Sequence, residues 1–249
     1  MWRYLAESVQ GASHVRNGTP CQDFSTAVEF EADELLFLVC SDGAGSGSHS
    51  DQGSQIACRK LGDHVTKFVA QGGQIDDITR ETALEWLESI RNDISTQAAA
   101  AGVTPRDLAC TLIAAVISPK AAAFMQIGDG GAVASTDSGE LQVVFWPEQG
   151  EFANTTFFLT AADAANRLRI EIINESIAEV ALFTDGLQHL ALRYDSKSVH
   201  GPFFRPFFAR LRADEDWQEL SQPLRGFLSS EGVTKRTDDD CTLVLAARV

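Results

Sequence analysis

The sequence predicts an α+β protein in which antiparallel sheets are covered by helices. Three observations lead to this class. Strand-like runs come in adjacent pairs instead of alternating singly with helices, which argues against a doubly wound parallel sheet. Helical patterns are grouped into two blocks, one from Ser50 to Gly102 and one from Pro202 to Ser230. Several apolar runs, LLFLVC and AAFMQI among them, look like strands buried on both faces.

Taken in order, WRYLAESVQG reads as a strand, and DFSTAVEFEADELLFLVCSD reads as a hairpin around the polar turn Glu31–Glu34. In SDQGSQIACRKLGDHVTKFVAQGG, Ile56, Leu61, Val65 and Phe68 recur at helical spacing, with Ser50 or Asp51 as the N-cap. DDITRETALEWLESIRNDISTQAAAAG is a second amphipathic helix, ended by Gly102. CTLIAAVISPKAAAFMQIGDGG returns to a hairpin that turns at Ser118–Lys120, and GAVAST and LQVVFW continue the sheet. AEVALFTDG is a further strand. PFFRPFFARLRADED and DWQELSQPLRGFLSS read as helices, the second interrupted by Pro223, and CTLVLAARV closes the chain as a strand. No repeat or low-complexity linker divides the chain, so a single domain over residues 1–249 is expected.

Bulk properties narrow the function. The net charge of −15 repels nucleic acid and anionic membranes on average, and no Lys/Arg run offsets it locally. MWRYLAESVQGASHV lacks the apolar core of a secretory leader, and no apolar run approaches the ~20 residues that span a bilayer. The five cysteines are scattered and contain no CxxC, which suits reduced, mostly buried thiols in a cytoplasmic protein and makes a Cys₄ zinc site improbable.

The informative pattern lies in the aspartates. Asp42 ends LLFLVCSD, Asp129 ends AAFMQIGD, Asp185 ends VALFTD, and Asp238–Asp239–Asp240 immediately precede CTLVLAA. At any one site a turn-forming Asp-Gly is the simpler reading. Four such acids at the ends of buried strands strain that reading, because aligned strand ends bring them into one cleft. Clustered, desolvated carboxylates remain ionised cheaply only around cations, and an all-oxygen set favours Mg²⁺ or Mn²⁺ over zinc. Paired ions of this kind activate water for phosphoester hydrolysis.

CQD, SDGAGS, GDGG, TDGL and DDDCTLVL stand in the order and approximate spacing of the metal-dependent type 2C (PPM) Ser/Thr protein phosphatases, which the chain resembles from Gly11 almost to its end. GASHVRNGTPCQD, MQIGDGG and RTDDDCT look most like a bacterial stand-alone branch. The resemblance implies a four-layer α-β-β-α sandwich of two antiparallel sheets flanked by helices. It also implies hydrolysis of phosphoserine and phosphothreonine by a water bridging two Mn²⁺ or Mg²⁺ ions, with a third ion possible. Asp42 matches the acid that bridges both metals, and the Gly43 carbonyl matches a second-metal ligand. Asp185 and Asp239 match first-metal ligands, Asp23 matches the acid that holds metal-bound water, and Asp129 matches the acid of a third, weaker site.

The sequence departs from the family pattern in several places. Gly18 stands where many members have a phosphate-clamping Arg; His14 and Arg16 lie nearby as replacements, although His14 serves equally well as a hydrogen-bonded structural residue. Ala44 stands where some members have a general-acid His. His189 occupies the place of a second third-site acid, and Asp240 replaces the usual Asn. GEFANTTFFLT lies where the family carries a flap, so Asn154, Thr155 and Thr156 are candidates for substrate contact, with a plain strand edge as the alternative.

Other features favour blander readings. The opening loop has no Gly-Lys-Ser/Thr of a phosphate cradle, and Ser46 lacks the glycine of a nucleophile elbow. The neighbours Ser48 and His49 are too close in sequence to act productively as a nucleophile-base pair. The phenylalanines of PFFRPFFARL are expected to fill a core. The implied partners are phosphorylated proteins, the products of a Ser/Thr kinase, with neither nucleic acid nor membrane, and the chain is expected to be a monomer. Two rival expectations stand beside this one: a non-catalytic module on the same fold that senses phosphoproteins or metal, and a hydrolase of small phosphoesters.

Overall fold

The computed structural model describes residues 1–147 and 156–249. The chain opens with β1 (Trp2–Val9), the short helix α1 (Ala12–Asn17), and the hairpin β2 (Phe24–Phe30) and β3 (Leu35–Ser41). Helices α2 (Ser50–Ala70) and α3 (Arg80–Ala101) follow, then β4 (Leu112–Ile117), β5 (Ala122–Ile127), β6 (Gly131–Thr136) and β7 (Gln142–Phe145). After the short helix α4 (Ala164–Arg167) come β8 (Arg169–Ile173), β9 (Ile177–Phe183) and α5 (Gln188–Ala191). A small ribbon of β10 (Leu192–Arg193) and β11 (Ser198–Val199) leads into α6 (Gly201–Ala213), α7 (Ser221–Leu228), α8 (Glu231–Thr234) and β12 (Cys241–Arg248).

Two five-stranded antiparallel sheets result, ordered β1-β12-β9-β6-β7 and β2-β3-β4-β5-β8. They stack face to face and each carries helices on its outer face, the four-layer sandwich expected from the resemblance. Side-chain alternation explains why the central strands read as continuous apolar runs. In β3, Phe37 and Val39 face α2 and α3, where they meet Ala57, Leu61, Val65 and Ile90. Leu36, Leu38 and Cys40 face inward to meet Val180, Leu182, Val244 and Ala246 of the other sheet. In β12, Leu243 and Leu245 turn outward onto Phe204, Phe208 and Leu224. Each such fully buried Leu or Phe contributes about 1.5–3 kcal/mol.

The Phe-rich helix is accordingly core: Phe203, Phe204 and Phe208 are buried. Gly102 closes α3 in the left-handed conformation (φ 70°), and Thr79 caps its start by accepting the Thr82 N–H at 3.3 Å. The N-terminus of α2 differs from expectation. His49 occupies the cap position without a side-chain cap bond, and Ser50 is already helical, its hydroxyl bonding the Gly47 carbonyl at 3.2 Å. Pro223 does not interrupt a helix. Residues Trp217–Leu220 form a separate 3₁₀ turn and α7 begins at Ser221, so Pro223 lies in a first turn, where its missing N–H costs nothing. All five cysteines are free thiols and four are buried. No helix among the described residues is long and apolar enough to cross a membrane.

Candidate metal centre

The two sheets contribute different acids to one place. Asp42 follows β3 and Asp129 follows β5 in one sheet; Asp185 follows β9 and Asp239 precedes β12 in the other. One ligand oxygen from each of Asp42, Asp129 and Asp185 lies within 4.8 Å of the others. Asp42, Asp185 and Asp239 line an open cleft of about 580 Å³ together with Gly43 and His14.

The backbone that carries Asp42 is held on both sides. Its N–H donates to Thr111 Oγ1 at 2.9 Å, and its carbonyl accepts the Thr111 N–H at 2.8 Å. Gly43 then donates to the Gln22 carbonyl at 3.1 Å, and Ala44 to the Ala109 carbonyl at 2.8 Å. The approach is too close for a side chain: a Cβ on Gly43 would lie 2.6 Å from the Ser50 carbonyl oxygen and 2.8 Å from that of Gln22. Gly45 has no such constraint, with nothing within 4 Å of its would-be Cβ.

Asp23 is buried beside this loop. Its Oδ2 accepts from the hydroxyls of Thr184 and Thr242, both at 2.7 Å, one from the segment after β9 and one from β12. Among the described residues its Oδ1 is buried without a hydrogen-bond partner, and so is Oδ1 of Asp129. Asp129 Oδ2 accepts from the Thr156 hydroxyl, and its carbonyl accepts the Gln188 side-chain N–H at 2.6 Å. Asn154 and Thr155 lie outside the described residues.

Electrostatics push these acids in one direction. Burial, followed by repulsion from Asp23, Asp185, Asp239 and Asp129, holds the Asp42 carboxyl well above the usual carboxylate range. Burial and then the charges of Asp129, Asp239 and Asp23 do the same to Asp185. Burial raises Asp23 to about 7 even though two threonine hydroxyls oppose the shift. Buried orphan oxygens and mutually repelling carboxylates fit divalent cations, and the all-oxygen donor set fits Mg²⁺ or Mn²⁺.

The departures from the family pattern have physical counterparts here. Asp240 is buried with both carboxylate oxygens engaged: its Oδ1 accepts the Gly11 N–H and its Oδ2 the Gln22 N–H, each at 2.6 Å. His14 Nδ1 lies 2.9 Å from Asp240 Oδ1, without the geometry of a directed hydrogen bond. His14 Nε2 lies 3.9 Å from Asp239 Oδ1. Arg16 is exposed and pairs with Asp238 at 2.8 Å; it does not line the cleft. Gly18 caps α1 in the left-handed conformation (φ 68°). His189 is exposed and stacks obliquely on Tyr194, while its neighbour Gln188 reaches Asp129. Ser48 and His49 do touch at 2.8 Å, but the Asp107 carboxylate bonds the serine hydroxyl and not the imidazole, so no relay forms, and neither residue lines the cleft.

Sequence reasoning missed two kinds of residue. Thr184 and Thr242 flank the acids in TDG and DCT, and that adjacency is a usable signal. Arg106 lines the cleft from the turn before β4, far in sequence from every acid, and nothing in the sequence marks it.

The family model described as "Protein phosphatase 2C" matches residues 10–229. "Serine/threonine-protein phosphatase 3" of Escherichia coli (strain K12) is 39% identical over 250 residues, covering 98% of each chain. Among solved structures, the serine/threonine phosphatase Stp1 from Staphylococcus aureus superposes with a TM-score of 0.66 at 13% identity, covering 100% of this chain and 96% of that one. The catalytic domain of the serine threonine protein phosphatase PstP, in complex with 2 manganese ions, superposes with a TM-score of 0.64 at 17% identity, covering 99% and 97%.

Proposed function

Given that the chain belongs to the protein phosphatase 2C family and is a metal-dependent serine/threonine protein phosphatase, we propose that the cleft where the two sheets meet is its catalytic centre. The observation that carries this reading is the convergence of Asp42, Asp129 and Asp185 within 4.8 Å, with buried orphan oxygens on Asp129 and on nearby Asp23. Asp42, held by the Thr111 and Gln22 contacts, would hold divalent cations, Mn²⁺ or Mg²⁺, together with the Gly43 carbonyl, Asp185 and Asp239, and Asp129 would serve a third, weaker site. When bound, such ions lower the pKa of water and neutralise phosphoryl oxygens.

The chain's own residues do the rest. Thr184 and Thr242 fix one oxygen of Asp23, which leaves Oδ1 to orient a water and accept its proton. His14 and buried Asp240 hold the segment that presents Asp239. With Ala44 beside Asp42, no protein side chain there protonates the leaving group, and that proton comes from solvent in the open cleft. The substrates are proteins phosphorylated by a Ser/Thr kinase, met by a cytoplasmic monomer that binds neither nucleic acid nor membrane.

Purified protein should release phosphate from a phosphothreonine peptide in Mn²⁺ and stop when EDTA is added. Full activity of Asp42→Asn would overturn the assignment. Tight phosphopeptide binding with no release at saturating Mn²⁺ would favour the sensing module instead. Release from small phosphoesters alone would favour the small-molecule reading.

A further inference from the structure

We infer that Arg106 binds the phosphoryl group of the substrate, in place of the clamp missing at Gly18; this rests on the cleft being the phosphatase centre. Three observations carry it. First, Arg106 lines the same cleft as Asp42, Asp185 and Asp239. Second, its guanidinium is exposed and makes no ion pair or hydrogen bond among the described residues. The other basic side chains nearby already lie against carboxylates: Arg16 against Asp238, and His14 against Asp240. A cation left uncommitted at the rim of an acidic cleft is available to a dianionic ligand.

Third, the residues that directly follow Arg106 are bonded to the loop that carries Asp42. The turn Pro105–Leu108 is closed by Asp107, whose carboxylate accepts from the Thr104 N–H at 3.0 Å and the Thr104 hydroxyl at 2.6 Å. The Asp107 carbonyl accepts the His49 N–H at 2.9 Å, and the Ala109 carbonyl accepts the Ala44 N–H at 2.8 Å. The segment just after Arg106 is thus bonded to the loop on either side of Gly45 and Ser46. A guanidinium presents paired N–H groups that match two phosphoryl oxygens, a geometry that a lysine cannot reproduce.

The test compares Arg106→Ala and Arg106→Lys with the unaltered protein in saturating Mn²⁺. Arg106→Ala should raise KM for a phosphothreonine peptide and Ki for inorganic phosphate together by about 10- to 100-fold, and Arg106→Lys should recover only part. Calorimetry with a non-hydrolysable phosphonate peptide should give the same loss in affinity, with the Mn²⁺ titration unmoved. A rise in peptide KM with no change in the Ki for phosphate would mean that Arg106 meets the peptide and not its phosphate, and would overturn the inference. So would unchanged phosphonate affinity. The calorimetric arm needs no turnover. If the unaltered protein releases no phosphate, the catalytic reading fails, while phosphonate binding still decides the role of Arg106.

Discussion

The carboxylate of Asp240 accepts the backbone N–H of Gln22 at 2.6 Å, which joins the start of β12 to the segment carrying Asp23. Its second oxygen accepts the Gly11 N–H at 2.6 Å, so one buried side chain satisfies two backbone donors from the N-terminal region. Removing it leaves both donors orphaned. Asp240→Ala should destabilise the fold by about 2–6 kcal/mol, read from urea melts, since each buried unpaired group costs about 1–3 kcal/mol. Asp240→Asn keeps one acceptor and turns an NH₂ against the other donor, so its loss should be smaller but measurable. Equal stability of all three proteins would contradict this role.

Asp42 illustrates a conflict between stability and function. Its burial among like charges is unfavourable without cations. In the metal-free protein Asp42→Asn should raise the melting temperature, because it removes one charge from the repelling group. In Mn²⁺ the same change should cut phosphopeptide turnover by about 10³-fold, roughly 4 kcal/mol of transition-state stabilisation. A variant less stable than the unaltered metal-free protein would show that Asp42 holds the fold by some other interaction.

The raised Asp23 gives a pH signature. Its folded value of about 7 exceeds the unfolded value of about 3.9, so between them the folded state holds a proton that the unfolded chain has released. Its contribution is therefore fully present below the unfolded value and is lost as pH rises through about 7. Asp42 and Asp185 shift the same way. In EDTA the melting temperature should fall between about pH 4 and pH 7, and saturating Mn²⁺ should flatten that slope. A metal-free stability that climbs with pH over this range would refute the assignment of these groups as buried acids.

Much of this was legible in the sequence because the signals were local. Fully apolar strands marked the two sheets, and the acids at their ends marked the site. The half-buried β8, RIEII, went unread because it mixes charge and apolar side chains at a sheet edge, and β10 and β11 are too short to carry a pattern. The acids were expected to line one sheet edge, whereas they come from two sheets, a pairing that only packing sets. The role of Asp240, which replaces the Asn of the family pattern, is hidden in the sequence because the Gly11 and Gln22 donors that it accepts from are more than 200 residues away. Arg106 was invisible for the same reason: its role depends on a turn bonded across to the Asp42 loop.

The two glycines of SDGAG separate close approach from simple looping. A methyl group on Gly43 would press on the backbone of Ser50 and Gln22, neither of which can yield without moving α2 or the segment carrying Asp23. Gly43→Ala should therefore weaken Mn²⁺ binding sharply by calorimetry and destabilise the fold by about 1–3 kcal/mol, the usual cost of overpacking. Gly45→Ala meets open space and has no left-handed φ to protect, so its stability and Mn²⁺ affinity should match the unaltered protein. Equal tolerance at both positions would mean that the loop is free to move away from Ser50, and that Asp42 is not held where the two sheets converge.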